Sequence, residues 1–264
     1  MHTEAITRQY ERAAKSDVNN VTHQRCMYAY EFARQYIQGK SVLDIGCGNG
    51  YGTALMAQEA REITGLDYDK ATVEANRGQY RNLTNVSFVQ AKVPPLPLET
   101  DSVEVITAFQ FIEHLTLRQE FLKEAFRVLK PKGVLLLTTP NVKRTLARNP
   151  FHVHEYTFEE MHSELATIFH HFELFGLCGN DKVEAYYQKN AEWVRKVMRW
   201  DIFGIHKILP AAIISTPYNV ITHIMRQTLK EQVEHTTNIT VEDFYLERQP
   251  LEHALDIYVV AQKI

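Results

Sequence analysis

The chain has 264 residues with a formal net charge of −3, and 45% of its residues are hydrophobic. This length is sufficient for one large domain or two small ones with a substantial buried core. The near balance of acidic and basic residues argues against bulk nucleic-acid binding, which normally accompanies a basic excess.

The N-terminal residues are polar without a hydrophobic signal region, and the longest apolar run, near residues 208–214, is too short to span a bilayer. Cys26, Cys47 and Cys178 form neither a Cys-x-x-Cys pair nor a metal-ligand spacing. This cysteine usage fits a reducing compartment. We therefore expect a cytoplasmic protein without a membrane span, and the sequence leaves open whether it is a monomer or a homodimer.

After an N-terminal segment, residues 1–40, that we predict to be helical, short apolar runs alternate with helix-forming stretches. The predicted strands are Ser41–Ile45, Glu62–Leu66, Asn85–Gln90, Val103–Phe109, Val134–Thr138, Phe172–Leu177 and Leu255–Ala261. Strands separated by helices indicate βαβ units with right-handed crossovers. The sequence therefore predicts an α/β fold with a doubly wound, mostly parallel seven-stranded sheet.

The predicted core covers residues 41–180, and its final strand lies within residues 251–264. Between them, residues 181–250 are mostly helical and rich in aromatic side chains. Long connections at this edge of a sheet often carry function. We interpret this insert as a helical cap that closes over a bound ligand, with a dimer surface or plain packing as alternatives.

The most informative segment is Val42–Thr53, in which a strand leads into Gly46-x-Gly48-x-Gly50 and a helix follows directly. Glycine allows a sharp turn and a close approach of the backbone to a ligand. A dinucleotide fingerprint would have a glycine at the position of Tyr51, where this sequence has none. A tight turn without a ligand is the alternative interpretation.

Asp67 follows the second predicted strand. Ligands of open α/β sheets bind beyond the carboxyl ends of the strands, near the point where strand order reverses. A carboxylate there can accept hydrogen bonds from both hydroxyl groups of a ribose. Capping of the next helix is the alternative role, but Asp69 is the better candidate for that cap.

Four segments in chain order, VLDIGCGNGYGT, ITGLDYD, DSVEVITAFQFIEHL and FRVLKPKGVLLLTTPN, resemble the successive motifs of the class I S-adenosylmethionine-dependent methyltransferases. The resemblance covers about residues 40–177 and returns at the last strand. It implies S-adenosylmethionine as the cofactor and a small molecule as the methyl acceptor. The segment Asn149–Met161 is also similar to one in bacterial methyltransferases of cell-surface sugar and other small-molecule pathways.

The resemblance implies one set of cofactor-binding residues: Asp44, Gly46, Cys47, Gly48, Gly50, Asp67, Tyr68, Ala91, Lys92, Val93, Phe109 and Gln110. Within this set the glycine turn would contact the methionine end, Asp67 the ribose and Tyr68 the adenine. Lys92 departs from the family pattern, which has an acidic residue that accepts from the adenine amine. Lysine cannot accept a hydrogen bond, so a backbone carbonyl or water must take that role.

Methyl transfer from a sulfonium needs alignment and exclusion of water, and it needs a base only when the acceptor is a neutral hydroxyl or a protonated amine. Glu113 and His114 follow the fourth predicted strand, and we predict that they are the catalytic residues. His114 is favoured as the base because histidine titrates near neutral pH. A purely structural role is the alternative, and His152 and His154 are weaker candidates.

The same Glu113 and His114, with His152, could instead bind a divalent metal. This set resembles the E-x-x-E-H pattern of small-RNA 2′-O-methyltransferases, but Gln110 replaces the first acid, so we predict no metal. The leading function is O-methylation of a small-molecule acceptor, and sugars and glycans are among the candidate acceptors. The alternatives are a metal-dependent RNA 2′-O-methyltransferase, a nicotinamide-dependent oxidoreductase and a cofactor-binding protein without catalysis.

Overall fold

A computed structural model describes residues 21–146, 149–198, 239–248 and 252–264. Its strands are β1 Ser41–Ile45, β2 Glu62–Asp67, β3 Val86–Gln90, β4 Val103–Phe109, β5 Leu129–Pro140, β6 His171–Gly179, β7 Phe244–Arg248 and β8 Asp256–Gln262. Its α-helices are α1 Val21–Ile37, α2 Tyr51–Met56, α3 Lys70–Gln79, α4 Arg118–Val128, α5 Phe158–Ala166 and α6 Asp181–Met198. Short 3₁₀ turns at Ile112–His114, Val142–Arg144 and Val241–Asp243 complete the described elements.

The strands form one sheet in the order β3-β2-β1-β4-β5-β8-β6-β7. The pairs from β3 to β5 are parallel, whereas β8 runs antiparallel to both β5 and β6. The predicted α/β fold with a mostly parallel sheet is therefore confirmed. Strand order reverses between β1 and β4, and an open sheet of this kind binds its ligands at such a point.

The predicted count of seven strands is wrong, because the described residues alone contribute eight strands to the sheet. The additional strand, β7, pairs antiparallel with β6 at the edge of the sheet. It lies near the end of the predicted helical insert, so this part of residues 181–250 is extended rather than helical. The sequence did not predict β7 because it is a five-residue edge strand with mixed burial. Its hydrophobic residues therefore show little of the alternation that predicts a strand.

Of that insert, α6 is helical as predicted, while residues 199–238 lie outside the described residues, as do residues 1–20 of the predicted N-terminal helical segment. Residues 21–37 of that segment do form a helix, α1. Within the part of the chain that the structure describes, no helix is both long and apolar enough to cross a membrane.

The sheet is covered on both faces. On one face, Tyr30 of α1 packs edge-on against Phe109 of β4 with ring centroids 4.9 Å apart. On the other face, Phe121 and Ala125 of α4 are fully buried in the hydrophobic core between that helix and the sheet. Because helices cover both faces, the strand ends are the place where the sheet meets solvent, and the site lies there.

Candidate active site

The turn after β1 is built from three glycines that all have positive φ: +71° at Gly46, +53° at Gly48 and +75° at Gly50. A Cβ on Gly46 would lie 2.6 Å from Phe111 Cδ2, and one on Gly50 would lie 2.8 Å from Tyr80 Cε2. A Cβ on Gly48 would meet nothing within 4 Å. Packing therefore requires two of the glycines, while Gly48 faces open space above the strand ends.

Asp67, at the end of β2, holds this turn. Its Oδ2 accepts from the Gly48 amide at 3.0 Å and its Oδ1 from the Asp69 amide at 2.9 Å. The Asn76 side chain from α3 donates to the Gly48 carbonyl at 2.7 Å. A carboxylate oxygen can accept more than one hydrogen bond, so these bonds orient Asp67 without preventing it from accepting ribose hydroxyls.

Asp69 occupies the N-cap position of α3, as the sequence predicts. Its Oδ2 accepts from the Thr72 hydroxyl at 2.5 Å rather than from a backbone amide of the helix. The position of Asp69 at the start of α3 is therefore as predicted, whereas the ribose-binding role of Asp67 remains a prediction.

Asp44, in β1, is fully buried and lies beneath the turn. Its carboxylate accepts from Thr53 Oγ1 at 2.6 Å and from Thr107 Oγ1 at 2.8 Å. Burial raises the pKa of Asp44 to about 6, although both hydroxyl groups act in the opposite direction. These bonds tie β1 to α2 and β4, and the predicted contact of Asp44 with the cofactor remains a prediction.

The other predicted cofactor residues fall into two groups. Tyr68 is 41% exposed beside the strand end, Lys92 is exposed, and the Ala91 amide donates to the Asp67 carbonyl at 3.0 Å, which places all three at the β2–β3 edge. Val93 is half-buried in the same segment. Cys47, by contrast, is buried, with its sulfur facing Gly65 of β2 and lying 3.9 Å from the Gly48 carbonyl.

Phe109 and Gln110 end β4 in different ways. Phe109 is 6% exposed and packs into the core against Tyr30 and Tyr258, so its ring belongs to the sheet face. Gln110 has φ +52°, and its amide donates to the Thr138 carbonyl at 2.9 Å. This conformation, uncommon for a residue other than glycine, turns the chain toward the strand ends.

Glu113 follows in the short 3₁₀ turn and is fully buried. Its Oε2 accepts from the Thr139 hydroxyl of β5 at 3.1 Å, while its Oε1 makes no hydrogen bond. Burial raises the pKa of Glu113 to about 7, against the opposing influence of His152. The segment that carries Glu113 packs on the glycine turn through the contact of Phe111 with Gly46.

His114 is exposed, and its ring meets that of His152 edge-on with centroids 5.0 Å apart. The Nδ1 atom of His114 lies 3.0 Å from the Phe151 carbonyl, and that of His152 lies 2.6 Å from Glu155 Oε1. Both acceptors favour the Nδ1–H tautomer, which leaves each Nε2 as a lone-pair atom. Asn149 Nδ2 lies 2.9 Å from His152 Nε2 and fits this assignment as a donor.

Ligand atoms of Glu113, His114 and His152 all lie within 4.8 Å of one another. The backbone contributes to this arrangement, because the Val153 and His154 amides both donate to the Glu113 carbonyl, at 2.7 and 3.2 Å. A carboxylate with two imidazoles suits a divalent transition metal. Each imidazole also has an oxygen acceptor on its other nitrogen, as metal-binding histidines usually do.

His154, the other histidine considered from sequence, has a different environment. Its ring packs edge-on against buried Tyr156, and its Nε2 lies 3.7 Å from Glu160. Glu160 also completes the capping box of α5 with Thr157, which fixes where that helix begins. His154 therefore points toward the start of α5 rather than joining the metal-type cluster.

Two further residues at this edge were not found from sequence. Asp256 begins β8 opposite Pro140 of β5 and is 2% exposed, and Arg25 of α1 places its Nε 3.2 Å from Asp256 Oδ2. Burial raises the pKa of Asp256, against the opposing charge of Arg25. The available signal was a single carboxylate inside the otherwise apolar segment Leu255–Ala261.

The sheet order and the glycine turn at the strand ends define a Rossmann-like α/β domain. Comparison with known proteins gives its family. A family model described as a methyltransferase domain matches residues 37–199. A "probable S-adenosylmethionine-dependent methyltransferase" of Mycolicibacterium smegmatis is 40% identical over 153 residues, which are 56% of this chain and 58% of that protein. A "ubiquinone biosynthesis O-methyltransferase" of Pseudomonas fluorescens is 32% identical over 119 residues, 44% of this chain and 49% of that protein.

Among solved structures, the YcgJ protein of Bacillus subtilis has the same fold, with a TM-score of 0.55, 18% identity and coverage of 91% of this chain and 98% of its own. The family match covers more than half of this chain, so the chain belongs to the methyltransferase domain family, as a class I S-adenosylmethionine-dependent member. The chain spans a little more than half the length of the mycobacterial relatives that it matches.

Proposed function

We propose that this protein transfers the methyl group of S-adenosylmethionine to a hydroxyl oxygen of a small molecule, with Glu113 as the general base. The main support is one juxtaposition. A fully buried carboxylate with an oxygen that makes no hydrogen bond lies in the segment that packs on the glycine turn. A base in this position would face both the acceptor and the methyl group that it receives.

The cofactor supplies a methyl group that is already activated on its sulfonium. Glu113 takes the proton of the acceptor hydroxyl through Oε1 while an O–CH₃ bond forms and the S–CH₃ bond breaks. The products are the methyl ether, S-adenosylhomocysteine as a neutral thioether, and protonated Glu113, which then releases its proton to solvent. A pKa of about 7 suits this role, because a base is most effective when its pKa lies near the working pH.

The cofactor-binding part of the proposal assigns the ribose to Asp67 and the methionine end to the glycine turn at Gly48. The support is the open space at Gly48 and the two backbone bonds that orient Asp67. Lys92 is left at the adenine edge, so the adenine amine would need a backbone acceptor or water there. The remaining predicted contacts belong to the same proposal.

His114, favoured as the base from sequence, is exposed, and its Nδ1 is held by the Phe151 carbonyl. Glu113 is the better supported base because its environment excludes solvent. Support for an oxygen acceptor comes from the relative in Pseudomonas fluorescens, which is named as an O-methyltransferase. A sugar or glycan acceptor and a cytoplasmic location remain parts of the proposal, the latter supported by three cysteines that are all free thiols.

We also propose that residues 181–250, apart from β7, form a cap over the acceptor. The described start of this segment supports it, because Glu184 of α6 accepts from Arg144, after β5, at 3.0 Å. That ion pair fixes α6 beside the strand ends that carry Glu113.

A metal-assisted version of the same transfer is a second candidate. It is favoured by the cluster of Glu113, His114 and His152, whose ligand atoms lie within 4.8 Å of one another. The three residues would hold the ion, which would lower the pKa of the acceptor hydroxyl. Binding of Mn²⁺ measured by calorimetry, with His152→Ala as the test and the exposed His170→Ala as the control, decides between the two versions.

The proposed function is tested by a screen of hydroxyl and amine acceptors, with S-adenosylhomocysteine formation as the signal. Glu113→Gln should lower the transfer rate on the order of 10²- to 10⁴-fold and leave the affinity for S-adenosylhomocysteine unchanged. Glu120→Gln is the matched control, because Glu120 is an exposed glutamate on α4. Binding of NAD in place of S-adenosylhomocysteine, or transfer to amines alone, would overturn the proposal.

A further inference from the structure

Residues from three distant parts of the chain lie near Glu113, at the end of the sheet, where Arg25 and Asp256 both interact with it electrostatically. Arg25 comes from α1 and Asp256 from the first position of β8, where β8 pairs with Pro140 of β5. Gln110 comes from the turn after β4, and its side chain donates to Thr138 Oγ1 at 3.3 Å. The proposed base is thus one member of a larger polar cluster that no role has yet explained.

This cluster holds three buried polar atoms that make no hydrogen bond: Arg25 Nε, Glu113 Oε1 and Asp256 Oδ1. Their side chains are nearly inaccessible, with 14% exposure at Arg25 and 2% at Asp256. Buried polar groups are almost always hydrogen-bonded, because an unpaired one costs free energy. Three such atoms at one place indicate a site that is completed by the polar groups of a ligand.

The chemistry of the cluster selects the ligand. The two carboxylate oxygens need donors, whereas Arg25 Nε needs an acceptor. A hydroxyl group satisfies both requirements, since it donates one hydrogen bond and accepts others. An ammonium group could only donate and would face the Arg25 charge, and a carboxylate or phosphate could only accept and would face two carboxylates.

The charges support the same choice. Arg25 and Asp256 form an ion pair with 3.2 Å between Nε and Oδ2, so the guanidinium is already compensated. Asp256 nevertheless retains one oxygen without a hydrogen bond, directed into a buried environment. An ion-paired cation beside a carboxylate with one oxygen that makes no hydrogen bond binds a neutral polar group better than a charged one. A charged group would lose its hydration without gaining a free counterion.

We propose that Arg25 and Asp256 bind a second hydroxyl group of the methyl acceptor, which makes the preferred acceptor a neutral molecule with at least two hydroxyl groups. One hydroxyl lies at Glu113 and receives the methyl group, and the other is held between Asp256 Oδ1 and Arg25 Nε. The inference rests on the proposed function, and it adds the residues that recognise the acceptor and the class of molecule that they select.

The test measures binding to protein saturated with S-adenosylhomocysteine, using two matched pairs of probes: catechol with phenol, and cyclohexane-1,2-diol with cyclohexanol. In at least one pair the diol should bind about tenfold or more tightly than the alcohol, because a site built for a hydroxyl rejects the analogue that lacks it. Asp256→Asn should abolish most of this preference while the affinity for S-adenosylhomocysteine stays unchanged.

Because Asp256→Asn leaves Arg25 buried without a counterion, the double variant Arg25→Gln/Asp256→Asn is tested beside it. Arg34→Gln/Glu59→Gln is the control, since it removes another ion pair that involves α1. Equal binding of diol and alcohol in both pairs, or a diol preference that survives the double variant, would overturn the inference. Failure of the proposed function is separate, because it would appear as absent methyl transfer in spite of selective diol binding.

Discussion

The candidate active site, at the carboxyl ends of the strands, has two halves that differ in how many of their polar groups are hydrogen-bonded. The proposed cofactor half is the glycine turn after β1 with the aspartates around it. There Asp67 and Asn76 bond to the backbone of Gly48, and Asp44 accepts from two threonine hydroxyls. In the acceptor half, Glu113 and Asp256 each keep a buried oxygen that makes no hydrogen bond. The proposed cofactor half is therefore ordered by the protein itself, whereas the proposed acceptor half has buried oxygens left for a ligand to bond.

This difference has a physical cause in the segments that build each half. Most of the hydrogen-bonded part of the cofactor half comes from one continuous stretch, β1 to α3, and Thr107 of β4 adds one bond to it. The acceptor half collects residues from α1, the turn after β4, and β8. Preorganised polar groups bind without paying for rearrangement, and a common cofactor benefits from such a site.

The largest test of the comparison removes Asp67. Asp67→Ala should weaken S-adenosylhomocysteine binding about 100-fold or more, because hydrogen bonds to a charged group contribute roughly 1.5–3 kcal/mol each. Calorimetry gives the affinity, and Asp101→Ala, at an exposed aspartate before β4, is the control. Unchanged affinity would show that the cofactor half does not bind the ribose through this carboxylate.

A smaller effect is expected from pH in the acceptor half. The base must be deprotonated, and burial raises the pKa of Glu113 to about 7, so activity should be lost as the pH falls through that value. At pH 6 the rate should be about tenfold below its plateau above pH 8, since each pH unit below the pKa lowers the deprotonated fraction about tenfold. The profile of kcat against pH tests this.

The same profile for Glu113→Gln should lack this rising limb. If the limb persists in that variant, another group is the base, and His114 becomes the first candidate. Binding of S-adenosylhomocysteine should not follow this profile in either protein, because the cofactor half does not contain Glu113.

The smallest effect separates the role of a glycine in folding from its role in binding. Gly48 and Gly39 both have positive φ, at +53° and +68°, and at both positions a Cβ would meet nothing within 4 Å. Replacement of either by alanine should cost about 1–2 kcal/mol of stability, measured by urea unfolding. Only Gly48→Ala should also weaken S-adenosylhomocysteine binding, by about fivefold, because about 1 kcal/mol of crowding corresponds to that factor.

Equal affinities of the two glycine variants would mean that the open space at Gly48 is not occupied by the cofactor. A loss of affinity in Gly39→Ala as well would mean that the effect is transmitted through stability. Either result would remove the distinction between a turn that merely folds and a turn that binds.

Much of the cofactor half could be predicted from sequence because its signals are local. Gly46, Gly48 and Gly50 lie within five residues, and Asp67 follows the very next strand. The strand Ser41–Ile45 was predicted with its observed bounds, and Asp69 was correctly placed at the start of α3. Periodicity and turn chemistry act over a few residues, so the pattern carries them directly.

Other features depended on partners that the pattern does not contain. Phe109, predicted as a cofactor-binding residue, packs into the core because α1 brings Tyr30 against it. Leu117 has the same helical spacing as the buried Phe121, yet it is 52% exposed because the helix begins one residue later. The edge strand β7 is stabilised by pairing with β6, which lies far from it in sequence.

By itself, the sequence determined the α/β class, the glycine turn, the aspartate after β2 and the methyltransferase family, since each is written in residues that are near neighbours along the chain. Only the tertiary structure decided that Arg25 and Asp256 lie beside Glu113, and that Glu113 rather than His114 is the buried group. Charge burial and pairing depend on how distant segments pack, and packing of the whole chain is what fixes them.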